Sequence, residues 1–156
     1  MTFVIRRAAV TTVAALALLI GASAVTMPRA DATTKKTTHV AMASGAVSYD
    51  AAQATAGAKA YGANCASCHG EKLEGGVGPA LSGATLNTLA KNTKLTVGDM
   101  FTFMSQQMPL NAPASLPKAQ YAAIMAYVLK FNGYPASSKA LTYAGATDST
   151  VVMRSK

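Results

Sequence analysis

The two cysteines of this 156-residue chain lie in one five-residue cluster, Cys65-Ala66-Ser67-Cys68-His69. They are so close that no disulfide bond can join distant parts of the chain. The candidate domain, about residues 49–135, is short for a stable core made of side chains alone. The chain also contains no Trp. A large apolar cofactor would therefore supply the missing interior.

The order and spacing of this cluster are those of a covalent haem attachment site. On a helical turn, cysteines three residues apart project to the same side, so Cys65 and Cys68 can both reach the vinyl groups of one porphyrin. The adjacent His69 then points its imidazole at the iron. We therefore predict one haem c, held by two thioether bonds and ligated by His69.

Three other interpretations of the cluster remain to be weighed. A thioredoxin-type thiol pair has the same spacing but needs a βαβ context, which this chain lacks. A zinc site needs four ligands, and His39 is the one further histidine. A plain disulfide does not need the histidine. Haem explains all three residues of the cluster.

The N-terminus has the pattern of an export signal. Arg6 and Arg7 precede an uncharged stretch over residues 8–27, and Ala-x-Ala cleavage sites follow at residues 22–24 and 30–32. This pattern predicts a signal peptide over residues 1–32 and a periplasmic protein. Because the uncharged stretch is long enough to cross a bilayer, an uncleaved inner-membrane anchor is the alternative. Contact with a membrane is expected only in that case.

The charge of the chain restricts its partners. The formal net charge is +8, and cleavage after Ala32 would leave eleven basic and five acidic residues, a net charge of +6. Such an excess of positive charge favours acidic proteins or membrane surfaces as binding partners. The lysines are scattered and do not alternate with aromatic residues, so nucleic acid is excluded as a partner.

The hydrophobic pattern predicts helices and no sheet. The three main helices are expected over residues 50–64, from residue 97 until before Pro109, and over about residues 117–131. The second begins with Thr96 and Asp99 in the spacing of a capping box. Residues 33–48 are predicted to be a flexible leader, and residues 136–156 a polar C-terminal extension.

The sixth iron ligand has several candidates. His39 lies in the leader, and Met104 lies on the apolar face of the middle helix. Met108 directly precedes Pro109, which ends that helix and disfavours helical geometry at the residue before it. Met108 is therefore the preferred ligand, with Met104 and His39 as alternatives. The other methionines after the cluster lie in helices or in the tail: Met100, Met125 and Met153.

Further short motifs accompany the cysteine cluster: Gly57 with Tyr61, Gly78-Pro79-Ala80-Leu81, Met108-Pro109-Leu110, Tyr121, Ala126-Tyr127-Val128-Leu129 and Asn132-Gly133-Tyr134-Pro135. Together they make residues 57–135 resemble a class I bacterial cytochrome c. The chain is most similar to the single-haem cytochromes that accompany periplasmic quinoprotein alcohol dehydrogenases. The cysteine cluster and the Met-Pro pair are specific for class I cytochromes c. The closing segment, residues 121–135, carries the similarity to the dehydrogenase-linked group.

The resemblance implies an all-α fold, with three main helices around one haem in residues 49–135. It implies that the Pro79 carbonyl accepts a hydrogen bond from His69 and that Leu81 packs on the porphyrin. Gly57 would let the first helix cross the last closely, near Tyr127. One departure is Pro117, since the family usually has a Ser or Asp cap there.

The resemblance also implies a function. A monohaem cytochrome of this kind is not an enzyme and carries single electrons between periplasmic donor and acceptor proteins, a quinoprotein dehydrogenase being one candidate donor. Two alternatives remain open. The chain would be an anchored cytochrome subunit of a dehydrogenase or oxidase complex, or a haem enzyme or gas sensor whose sixth position is open.

Overall fold

The structure is a computed structural model, and it describes residues 47–156. The predicted signal peptide, His39 and the leader up to residue 46 lie outside the described residues. Within residues 47–156, none of the helices has the length and apolar character needed to cross a membrane.

Every regular element of the described part is helical, which confirms the all-α prediction. The helices are α1 (Ala51–Asn64), α2 (Ala66–His69), α3 (Gly83–Thr93), α4 (Val97–Gln107), α5 (Lys118–Phe131) and α6 (Tyr143–Thr147). The three predicted helices correspond to α1, α4 and α5. Helices α3 and α6 are additions that the hydrophobic pattern did not reveal.

The helix ends follow local chemistry. Asp50 caps α1, since its carboxylate accepts the Gln53 N–H at 2.6 Å. At α4 the predicted capping box is present: the Thr96 side chain accepts the Asp99 N–H, and the Asp99 carboxylate accepts the Thr96 N–H. Pro117 stands at the cap position of α5 and contributes no side-chain hydrogen bond.

Helices α1 and α5 form the centre of the fold. A Cβ atom at Gly57 would lie 1.8 Å from the Ala123 carbonyl oxygen, so a larger residue could not occupy this crossing. The predicted close approach is therefore present, and it is made against Ala123 rather than Tyr127. One turn further along, Tyr61 packs against Tyr127, with the ring planes tilted by 49° and the ring centroids 5.3 Å apart.

The C-terminal extension is part of the packed structure. Its residues Leu141, Ala146 and Met153 are buried in the same core as α1 and α5. The Met153 N–H donates to the Leu95 carbonyl at 2.8 Å, and Val152 forms an isolated bridge with Thr96 at the start of α4. The extension therefore enlarges the core beyond the domain over residues 49–135.

The predicted leader also ends earlier than expected. Val47 is buried in the core, and the Ser48 hydroxyl forms a hydrogen bond with the Ser137 hydroxyl in the extension. The last two residues of the interval 33–48 are thus packed against the fold.

Candidate haem-binding site

The cysteine cluster forms a single helical turn directly after α1. The Cys65 N–H still donates to the Tyr61 carbonyl at 2.8 Å, as the last bond of α1, and the His69 N–H donates to the Cys65 carbonyl at 3.0 Å. Cys65 is half-buried and Cys68 is exposed, and both thiols are free. The helical turn that the attachment hypothesis requires is therefore present.

The environment of Cys65 differs from that of a redox-active thiol pair. Burial, together with the neighbouring Cys68, raises the pKa of the Cys65 thiol to about 11. A reactive pair of the thioredoxin type needs a thiol whose pKa is lowered. Cys65 is neutral at pH 7, which disfavours the thiol-exchange interpretation.

The His69 imidazole is held by a backbone carbonyl. Its Nδ1 lies 2.8 Å from the Pro79 oxygen, and a carbonyl can only accept, so Nδ1 carries the proton. Nε2 is then the unprotonated nitrogen, the form that binds a metal. This is the contact that the family resemblance implies for Pro79.

Gly78 leaves room for the His69 ring. A Cβ atom at residue 78 would lie 2.7 Å from Cε1 and 2.9 Å from Nδ1 of His69. No real side chain fits at that distance, so the residue before Pro79 must be glycine if the ring is to keep this position. Gly78 was predicted only as part of a motif, and its steric role appears only in the structure.

Backbone hydrogen bonds close the segment between His69 and Leu81 on itself. The Gly75 N–H donates to the His69 carbonyl and the Gly78 N–H to the Cys68 carbonyl, both at 2.8 Å. The Leu81 N–H donates to the Leu73 carbonyl, also at 2.8 Å. Leu81 itself is half-buried and packs against the core. The Pro79 carbonyl therefore belongs to an ordered loop.

Two side chains from the central helices hold this loop. The Tyr61 hydroxyl donates to the Gly70 carbonyl at 2.7 Å, and the Asn132 amide donates to the Leu81 carbonyl at 2.9 Å. Sequence reasoning gave neither contact. Asn132 appeared only in the closing motif that ends α5, and no spacing rule relates it to Leu81.

Met108 lies just outside α4. It is the C-terminal cap residue, with the extended backbone angles φ −118° and ψ 154°. The Tyr121 hydroxyl donates to its carbonyl at 2.6 Å, which fastens the residue to α5. Met104 stays within α4 and packs half-buried against the core. The backbone thus separates the two candidate methionines as the proline argument predicts.

The side-chain donors of these segments fit haem c. His69 offers a free Nε2 and Met108 offers a thioether outside a helix, while two free thiols occupy one turn. Several large apolar side chains near these segments are exposed to solvent in the chain alone, namely Val77, Phe103 and Leu110. Porphyrin is an apolar group of the kind that such residues would contact.

Comparison with known proteins agrees with this chemistry. A model of the family described as "Cytochrome C oxidase, cbb3-type, subunit III" matches residues 52–128, which include α1, the cysteine cluster, Met108 and most of α5. A search of curated proteins and a search of solved structures each found no match.

The match and the all-helical fold define the class: residues 52–128 form a c-type cytochrome domain. The cofactor is accordingly haem c, bound covalently, and the domain is that of an electron carrier. The oxidase subunit in that description is part of the name of the family model and is not transferred to this chain.

Proposed function

We propose that this chain carries single electrons between exported redox partners, with Cys65 and Cys68 bonded to the porphyrin through thioethers and His69 and Met108 as the axial iron ligands. The observation that carries the proposal is the 2.8 Å hydrogen bond from His69 Nδ1 to Pro79. It leaves Nε2 unprotonated on a turn that also presents both thiols.

Haem c supplies an iron that gains and loses one electron. The chain's own residues would hold that group: His69 and Met108 would bind the iron, Cys65 and Cys68 would bond to the porphyrin, and Pro79 would keep His69 in one tautomer. With His69 and Met108 both bound to it, the iron would have no position open to a substrate. Electron transfer of this kind would require no acid or base side chain.

The partners are proposed to be acidic. Lys72, Lys91, Lys94 and Lys118 are all exposed and flank the segments that would bind haem. Opposite charges across an interface raise the rate of association, and salt weakens this effect. A periplasmic quinoprotein dehydrogenase is the candidate donor. Electron transfer from such a dehydrogenase that slows as salt is added supports this choice, and a rate independent of salt contradicts it.

Covalent attachment is the first test. Protein made in a cell that matures c-type cytochromes should keep its colour after extraction with acidified acetone. Cys68→Ala should yield little or no holoprotein, while Ser67→Ala, which changes the residue beside it, should mature normally. Haem that extracts freely from the unaltered protein would contradict the proposal.

Carbon monoxide separates an electron carrier from a haem enzyme or gas sensor. A firm methionine ligand keeps carbon monoxide off the reduced iron, so the reduced spectrum should not change when the gas is added. Rapid and complete binding by the unaltered protein would instead indicate an open sixth position.

The N-terminus of the mature protein decides between a free shuttle and an anchored subunit. A periplasmic shuttle should begin after residue 24 or residue 32, and it should be released without detergent. A mature protein that keeps residues 8–27 and needs detergent for release would be the anchored form.

A further inference from the structure

Asn132, at the C-terminal cap of α5, is one of the few buried polar residues of the described chain and is only 2% exposed. Its Nδ2 donates to the Val128 carbonyl and to the Leu81 carbonyl, both at 2.9 Å. Because both neighbours are carbonyl oxygens, the orientation of the amide group is fixed.

The other end of the same amide has no partner. Asn132 Oδ1 is buried and accepts no hydrogen bond within residues 47–156. A buried acceptor without a donor lowers stability, whereas an apolar side chain of the same size avoids this cost. The two bonds from Nδ2 offset this cost. Because the Val128 carbonyl also accepts the backbone N–H of Asn132, the bond to Leu81 is the contact for which the side chain is needed.

That bond acts on the loop that holds His69. Leu81 is fixed through both of its backbone groups: its N–H donates to the Leu73 carbonyl, and its carbonyl accepts from Asn132. Leu81 follows Pro79 by two residues, and the Pro79 carbonyl accepts the hydrogen bond that the Nδ1–H of His69 donates. Asn132 thus ties the acceptor loop to the end of α5.

We propose that Asn132 is a positioning residue that sets the strength of the hydrogen bond between Pro79 and His69, and through it the reduction potential. The proposal rests on the ligation by His69 put forward above. A strong bond at Nδ1 makes the imidazole a better donor to the metal. A better donor favours the ferric state, so a weaker bond raises the potential.

The test uses the full-length holoprotein with Asn132→Leu, which keeps the size of the side chain and removes both donors. We expect the equilibrium constant for one-electron reduction to rise about threefold, which is about 28 mV at 59 mV per factor of ten. The His69 Nδ1 proton of the reduced protein should also exchange faster with solvent, as measured by nuclear magnetic resonance.

Gln53→Leu is the matched control. The Gln53 side chain also makes two hydrogen bonds to backbone, donating to the Leu141 carbonyl and accepting the Leu141 N–H, both at 2.7 Å. These bonds hold the extension and do not involve the His69 loop. This variant should lower the melting temperature without changing the potential or the exchange of the His69 proton.

The outcomes distinguish a positioning role of Asn132 from a merely structural role. If Asn132→Leu lowers only the melting temperature, as Gln53→Leu does, Asn132 is merely structural and the proposal is wrong. If the leucine variant does not mature, Asn132→Gln, which shifts the amide by one methylene, replaces it in the measurements of the potential and of proton exchange. If neither matures, Asn132 is needed for folding and the proposal is also wrong. Failure of the ligation itself is distinguishable, because the unaltered protein would then lack a low-spin His–Met spectrum.

Discussion

The two segments that contain the proposed iron ligands, His69 and Met108, are built differently. The motif segment, residues 65–82, contains the cysteine cluster and Pro79, and its backbone groups bond mainly to one another and to Tyr61 and Asn132. The methionine segment, residues 108–117, is largely exposed. Its few hydrogen bonds include Ala112 to Pro109 at 2.9 Å and the contact of Tyr121 with Met108.

This difference suggests which ligand is easier to lose. A loop with many internal bonds holds its histidine in one position before the metal arrives, whereas an exposed loop with few bonds opens at a low free-energy cost. We therefore expect the bond to Met108 to break first under stress, while His69 stays bound. The following predictions test this asymmetry, beginning with the largest effect.

Removing the methionine ligand should have the largest effect. Met108→Ala should open the sixth position, admit carbon monoxide to the reduced protein and lower the reduction potential, because methionine ligation raises it. Absorption spectra with and without the gas, together with a redox titration, measure both effects.

Met104→Ala is the matched control for this variant, since the two methionines are four residues apart. Met104 is half-buried, so its loss should cost about 2 kcal/mol or less of unfolding free energy and leave the iron spectrum nearly unchanged. The ligand assignment is wrong if Met104→Ala is the variant that loses the low-spin spectrum.

Crowding the histidine should have the next largest effect. Gly78→Ala would place a Cβ atom 2.7 Å from the His69 ring, so that the ring or the loop must move. We expect a loss of about 1–3 kcal/mol in unfolding free energy and a changed spectrum in the reduced state. Chemical denaturation of the purified holoprotein measures the first quantity.

Gly62→Ala is the control for Gly78→Ala. Gly62 lies in α1, and a Cβ atom there meets nothing within 4 Å. This substitution should raise stability by about 0.5–1 kcal/mol, because glycine is unfavourable inside a helix. If Gly78→Ala and Gly62→Ala change the unfolding free energy equally, residue 78 does not pack tightly against His69.

Loosening the methionine segment should have a moderate effect. Tyr121→Phe removes the hydroxyl that donates to the Met108 carbonyl at 2.6 Å. We expect a loss of about 1 kcal/mol in unfolding free energy and faster binding of carbon monoxide, measured by stopped flow.

Tyr49→Phe removes a similar buried bond, from the Tyr49 hydroxyl to the Tyr134 carbonyl, far in sequence from either ligand. It should reduce stability to a comparable extent without changing the rate of carbon monoxide binding. If both variants bind the gas equally fast, the Tyr121 contact does not hold the ligand.

The smallest effect concerns the start of α4, the helix that leads to Met108. The hydrogen bonds from Thr96 lower the pKa of the Asp99 carboxyl below its usual value. A lowered pKa in the folded state stabilises the fold above the unfolded pKa of about 3.9, and this stabilisation is lost as the pH falls through the folded value. Asp99→Asn should therefore melt slightly below the unaltered protein at pH 7.

The difference in melting temperature between these two proteins should disappear as the pH falls below about 4. Calorimetry over a pH series measures it. A difference that persists at low pH would assign the effect of Asp99→Asn to something other than the charge of the capping box.

Much of the site was predictable from short-range chemistry. The spacing within Cys65–His69 specifies the attachment turn, and Pro109 ends α4 whatever surrounds it, which frees Met108. The capping residues of α1 and α4 also act within one turn. Such features depend on neighbours in the chain, so a single sequence contains them.

Other features depend on residues far apart in the chain. Helix α3 was not predicted although its buried residues Leu86 and Ala90 recur at helical spacing, and α6 was not predicted because a five-residue helix in a polar tail has little pattern at all. The tail forms a helix there because Leu141, Ala146 and Met153 find a place in the core.

The sequence by itself therefore determined the cofactor and its attachment, and it supplied His69 and Met108 as the proposed iron ligands, because each follows from residue types at fixed short spacings. Only the tertiary structure decided how the ligand loop is held. The contact of Asn132 with Leu81 joins residues 51 positions apart. Likewise, residues of the C-terminal extension share one core with α1 and α5, which cross at Gly57. Such contacts depend on how the helices pack in three dimensions, and no local spacing specifies that packing.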